Sequence, residues 1–108
     1  MSESKLLPIH PGEILLEEFL KPMAIDPAEL ARDTNLPPLL IQQIIAGDHA
    51  ITPNIALRLS HYFKLSERFW LNLQSRYDLE TEKDHLGDRL NKEVRVFQAP
   101  TEENQHPL

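Results

Sequence analysis

Residues 26–47 read DPAELARDTNLPPLLIQQIIAG, two short helical stretches on either side of a tight break. Asp26 is a capping residue, Pro27 takes the first helical position and Glu29 follows three residues after Asp26, the pattern of a capping box. That spacing predicts a helix over Pro27 to Thr34 that buries Leu30 and Ala31. Asn35 comes next, and asparagine tolerates the left-handed conformation on which helices often end. Pro37 and Pro38 then open a second helix that stops at Gly47. Its Ile41, Ile44 and Ile45 share one face, while Leu39, Gln42, Gln43 and Ala46 share the other.

Two helices joined by the short TNLP turn have the length and spacing of a helix-turn-helix, whose second helix sets its early outward residues against base edges in the major groove. Here those residues are Pro38, Leu39, Leu40, Gln42 and Gln43. Glutamine can pair bidentately with adenine N6 and N7, and leucine can pack on a thymine methyl group. The same pattern also fits a plain two-helix corner, in which Gln42 and Gln43 only keep one face wet. Residues 36–52 contain no lysine or arginine and do contain Asp48, which sharpens the choice between the two.

The rest of the chain is punctuated the same way. Pro11 starts a first helix with Ile14, Leu15 and Phe19 apolar, Glu13, Glu17 and Glu18 at its favourable dipole end, and Pro22 near its stop. Thr52–Pro53 starts a fourth helix carrying Ile55, Leu57, Leu59 and Phe63, and Ser66 caps a fifth. Phe69, Trp70, Leu73 and Tyr77 form a broad apolar stripe on that fifth helix, with Leu71 about 100° away from Trp70. The stripe is either wholly buried, or closes the core on one side and meets a second copy on the other. Leu79, Leu86, Leu90 and Val94 continue at helical spacing and predict a further amphipathic helix over 81–97, weakened at Gly87 by about 1 kcal/mol. No stretch alternates long enough to be a strand. The fold class is all-α.

One domain is what 108 residues accommodate. There is no cysteine, hence no disulfide and no thiolate metal site, which suits a reducing, cytoplasmic setting. The N-terminus lacks the pattern of a secretory signal, and no apolar run is long enough to span a membrane. Of the net charge of −6, most sits late: Pro8 to Tyr77 hold six basic and eight acidic residues, and the chain from Asp78 four and eight. That balance argues against strong non-specific DNA binding without excluding a specific kind. Catalysis finds no support, since the chain has no HExxH, no glycine-rich phosphate loop and no cysteine nucleophile. His10, His49, His61, His85 and His106 share no metal-ligand spacing, so neither metal nor cofactor is expected.

HPGEILLEEFLKPM (10–23), LARDTNLPP (30–38), AGDHAITPNIALRLSHYF (46–63) and FWLNLQSRYDLE (69–80) occur in that order. Together they resemble the HigA antitoxin family, also called VapI-type, a branch of the lambda-repressor-like helix-turn-helix proteins. The resemblance implies a five-helix domain over 10–80; outside it lie an N-terminal arm (1–9), the additional C-terminal helix (81–97) and a tail (98–108) whose polar, acidic, proline-bearing composition predicts disorder. It further implies a homodimer that represses its own promoter at a palindromic operator in double-stranded DNA and neutralises a small ribosome-dependent mRNA-cleaving toxin. Phe69, Trp70, Leu73 and Tyr77 would then serve the dimer, and Thr52 would face a phosphate. The chain departs from the family pattern where relatives carry polar or basic residues, at Leu39–Leu40 and Asp48–His49, and at Pro27, where a phosphate-touching glutamine is common. Ala24, Asn35 and Lys64 stand where relatives often have glycine. These departures keep an alternative open: a helix-turn-helix-derived protein-interaction module, or an unpaired regulator, with weak or lost DNA binding.

Overall fold

A computed structural model describes residues 7–100. The first part of the arm and residues 101–108 of the tail lie outside them. Helix α1 spans Pro11–Ile14 and continues in wider π-helical turns over Leu15–Leu20, where the Lys21 N–H reaches back five residues to the Leu16 carbonyl at 3.0 Å. Then follow α2 (Pro27–Thr34), α3 (Pro38–Ile45), α4 (Pro53–Phe63), α5 (Glu67–Leu86) and α6 (Arg89–Glu93). Among the described residues there is no strand, and the fold is all-α. Proline occupies the first turn of α1, α2, α3 and α4, where its missing N–H costs no hydrogen bond.

Leu15, Leu20, Leu30, Ile41, Ile44, Ile51, Leu59 and Trp70 are essentially removed from water and form one core, each contributing about 1.5–3 kcal/mol by burial. Phe19, Phe63 and Phe69 ring Trp70 at centroid distances of 5.1, 6.1 and 5.0 Å. Gly12 is buried against the end of α3, and a Cβ there would fall inside the Ile44 carbonyl.

Three non-glycine residues adopt left-handed backbone: Ala24 at φ 56°, Asn35 at 58° and Lys64 at 59°. They are the three positions where the family resemblance places glycine, and each takes the left-handed conformation that glycine adopts without strain. Asn35 relieves part of it through its short polar side chain; alanine and lysine do not. Ala24→Gly and Lys64→Gly are each expected to raise stability by about 1 kcal/mol, read as a higher urea midpoint at unchanged slope. A lowered midpoint would contradict the strain.

The C-terminal end departs from the sequence expectation. α5 runs without a break past residue 80 to Leu86, Gly87 turns the chain at φ 55°, and α6 holds only five residues. Residues 94–100 have no regular structure. The helix expected over 81–97 is therefore the end of α5, the short α6 and an irregular run. Helical spacing was present there, but Leu79, Leu90 and Val94 remain exposed, and a stripe with nothing to pack on does not hold a helix through a glycine.

Candidate nucleic-acid interface

The α2–α3 corner is fixed from three sides. Asn35 turns the chain, and Leu36 is buried as its N–H returns to the Ala31 carbonyl at 3.0 Å. From α4, Arg58 donates through Nη1 to the Thr34 carbonyl at 3.0 Å and through Nε to Asn54 at 2.8 Å. One of the few cations of the domain is thus spent on capping α2 rather than presented to a ligand. Ile41 and Ile44 are fully buried, which orients α3.

That orientation turns Pro38, Leu39, Gln42 and Ala46 outward, with Leu39 67% exposed and Gln43 half-buried beside them. Leu40 is a correction: it is half-buried and packs on the core, so it has little surface for a base. Its place one residue before Ile41 puts it on the flank of the buried face. No side chain caps the start of α3, where Pro37 precedes Pro38.

The loop from Gly47 to Ile51 connects α3 to Thr52. Gly47 sits at φ 85°, and the Asp48 N–H returns to the Gln43 carbonyl at 2.8 Å. Asp48 is exposed, while His49 Nδ1 closes on the Ala50 carbonyl at 2.7 Å. Thr52 is exposed and caps α4, its Oγ1 accepting the Ile55 N–H at 3.3 Å. A hydroxyl that accepts one hydrogen bond still has its proton to donate outward.

Two residues hold this loop that sequence reasoning did not single out. Gln74 of α5 is buried; its Oε1 accepts the Ile51 N–H at 2.7 Å and its Nε2 donates to Asp78 Oδ1 at 2.9 Å. The signal available was a polar residue four positions after Trp70, inside an otherwise apolar stripe. His10 caps α1, with Nδ1 accepting the Gly12 N–H at 2.9 Å, and its ring meets Tyr77 edge-on at 4.8 Å. Gly47 lies beside the His10 ring. His10 thus caps α1 and also joins it to the loop and α5.

Burial lowers the His10 pKa from its ordinary value, against the opposing pull of Asp78, Asp48 and the His49 backbone. A depressed value means that the unfolded chain takes up a proton more readily than the folded one. The stability this group contributes is therefore full above about pH 6.5 and is lost as pH falls through the folded value. The urea midpoint is expected to drop between pH 7.5 and 5.5. His10→Asn, which retains a capping acceptor but no titrating group, is expected to flatten that component. An unchanged slope in the variant would assign the acid sensitivity elsewhere.

The residues expected at a dimer contact divide. Trp70 is 0% exposed and belongs to the core of its own chain, so it has no surface for a second copy. Phe69 is 37% exposed on the same turn. Leu73 and Tyr77 are half-buried and line a groove with Leu7, Ile9, Ile14 and Arg76, which brings the end of the N-terminal arm to this face. Among the described residues, no cluster of three or more His, Asp or Glu could hold a metal ion, and no helix is long and apolar enough to cross a membrane.

No family model matches the chain. It is similar to virulence-associated protein I of Dichelobacter nodosus, 46% identical over 72 residues that cover 67% of each chain. Its fold is similar to that of the Pseudomonas aeruginosa antitoxin HigA with the higBA promoter, at a TM-score of 0.81 and 40% identity over 84% of this chain and 99% of that one. The antitoxin GraA in complex with its operator matches at a TM-score of 0.81 and 36% identity, over 92% and 100% of the two chains.

Proposed function

The chain belongs to the HigA/VapI-type antitoxins of the helix-turn-helix class, and from that premise we propose that it binds operator DNA in its own promoter, as a dimer, and neutralises a cognate mRNA-cleaving toxin. The observation that carries the DNA reading is the α3 face: two fully buried isoleucines orient the helix so that Leu39 and Gln42 point out together, with Gln43 half-buried beside them. Relatives of the same fold are bound to a promoter and to an operator. In this reading Gln42 and Gln43 meet base edges, Leu39 meets a thymine methyl, Pro38 lies at the groove entrance and Thr52 donates to a phosphate. Residues 10–80 act as the DNA-binding unit. A two-fold dimer sets two copies of α3 about 34 Å apart, and Phe69, Leu73 and Tyr77 supply its contact. The toxin and the dimer rest on family membership and on that exposed apolar surface.

Gln43→Ala tests base reading. Affinity for the chain's own promoter is expected to fall about tenfold, one bidentate contact, while binding to random DNA is unchanged and stability stays within about 0.5 kcal/mol. Equal losses on both DNAs would remove Gln43 from base recognition.

A second reading has its own observation: residues 36–52 carry no lysine or arginine, and Asp48 is exposed beside the proposed groove face. A protein-interaction module that keeps the fold and toxin binding without DNA would look this way. Capture of the toxin by a chain that leaves its promoter unshifted at low salt would select it.

A further inference from the structure

We infer that Gln74 is a positioning residue for DNA binding: it sets the affinity of the Thr52 phosphate contact without touching DNA itself. The inference rests on the DNA reading above and adds to it a residue on α5, the helix after the one that Thr52 caps. The loop between α3 and α4 spans Ala46 to Ile51, and its last N–H is that of Ile51, directly before Thr52. That N–H is buried, and its acceptor is the Gln74 Oε1 at 2.7 Å, 23 residues away in sequence. The carboxamide is itself held in orientation, because its Nε2 donates to Asp78 Oδ1 at 2.9 Å. With the amide turned the other way, an NH2 group would face the Ile51 N–H and the oxygen would face the Asp78 carboxylate, so both contacts would be repulsive. Asp78 therefore fixes which end of Gln74 meets the loop. Because Gln74 is buried within its own domain, its effect on DNA reaches the ligand only through Ile51 and Thr52.

The pair permits an exchange of groups. In Gln74→Glu alone, two carboxylates oppose each other. In Gln74→Glu/Asp78→Asn the donor moves to residue 78, and residue 74 still offers an oxygen to Ile51. Wild type, Gln74→Leu, Gln74→Glu and the double variant would be titrated with a duplex from the chain's own promoter and with a random duplex. The temperature is set where circular dichroism shows all four folded. Gln74→Leu and Gln74→Glu are expected to bind both duplexes about tenfold more weakly, as one lost phosphate contact requires. The double variant is expected to recover to within about threefold of wild type. Wild-type affinity in folded Gln74→Leu overturns the inference, and so does failure of the folded double variant to recover. Should Gln74→Leu not fold, the comparison of Gln74→Glu with the double variant decides alone. Failure of the wild type to bind either duplex is a separate result, and it overturns the DNA reading on which the inference stands.

Discussion

Gly12→Ala is expected to destabilise the fold by about 3 kcal/mol or more, a large share of the 5–15 kcal/mol that holds a domain together. Local propensity alone predicts the opposite sign, since alanine is favoured over glycine by about 1 kcal/mol inside a helix. The reason for the reversal is tertiary. The added Cβ meets the Ile44 carbonyl, a backbone group at the end of α3 that has no rotamer by which to withdraw. Relief requires α1 to back away from α3, and that separates the His10 ring from Gly47 as well. Urea unfolding of the variant beside the wild type reads the difference. An equal or higher midpoint would show that the α1–α3 contact is looser than described.

Trp70→Ala is expected to cost about 3–5 kcal/mol, the range for emptying a fully buried aromatic site. Its ring is the centre on which Phe19, Phe63 and Phe69 pack, so three other side chains lose contacts with it. Among the described residues the indole Nε1 has no hydrogen-bond acceptor, and Trp70→Phe keeps most of the ring, so it is expected to cost clearly less than the alanine variant. Phe69→Ala, at a partly exposed position, is expected to cost less as well. The contrast separates two roles that the sequence stripe had merged. A loss at Trp70 that is independent of protein concentration belongs to the core of one chain. A loss that grows on dilution would place Trp70 at a contact between copies.

Local chemistry made much of the fold legible. Asp26, Thr52 and Ser66 cap where capping residues were read, Pro11, Pro27, Pro38 and Pro53 each open a helix, and Ile41 and Ile44 bury as their spacing predicts. What was not legible is what joins segments far apart in the chain. Nothing near them in sequence marks Gly12, which meets the Ile44 carbonyl, or Gln74, which accepts the Ile51 N–H. Leu40 is half-buried and Trp70 fully buried for a related reason: periodicity finds an apolar face but does not say how wide the buried part is. At the C-terminal end the apolar spacing continues, yet among the described residues no element covers Leu79, Leu90 or Val94. At the candidate interface, Leu39 and Gln42 lie outward and Gln43 is half-buried beside them. The missing cations were visible at once, and the structure adds that Arg58 is occupied with α2.

Those missing cations give the DNA reading a distinctive signature. Each phosphate neutralised by a lysine or arginine contributes about −0.9 to the slope of log affinity against log salt, and this face offers few of them. Specificity from Gln42, Gln43 and Leu39 should therefore outlast salt better than overall affinity would suggest. The direct measurement is a salt series of dissociation constants for the wild-type chain on its own promoter and on a scrambled duplex of equal composition. The expected result is at least about a hundredfold preference for the promoter with a shallow slope, and scarcely measurable binding to the scramble at physiological salt. Equal affinity for the two duplexes, or no binding to either at low salt, would contradict it.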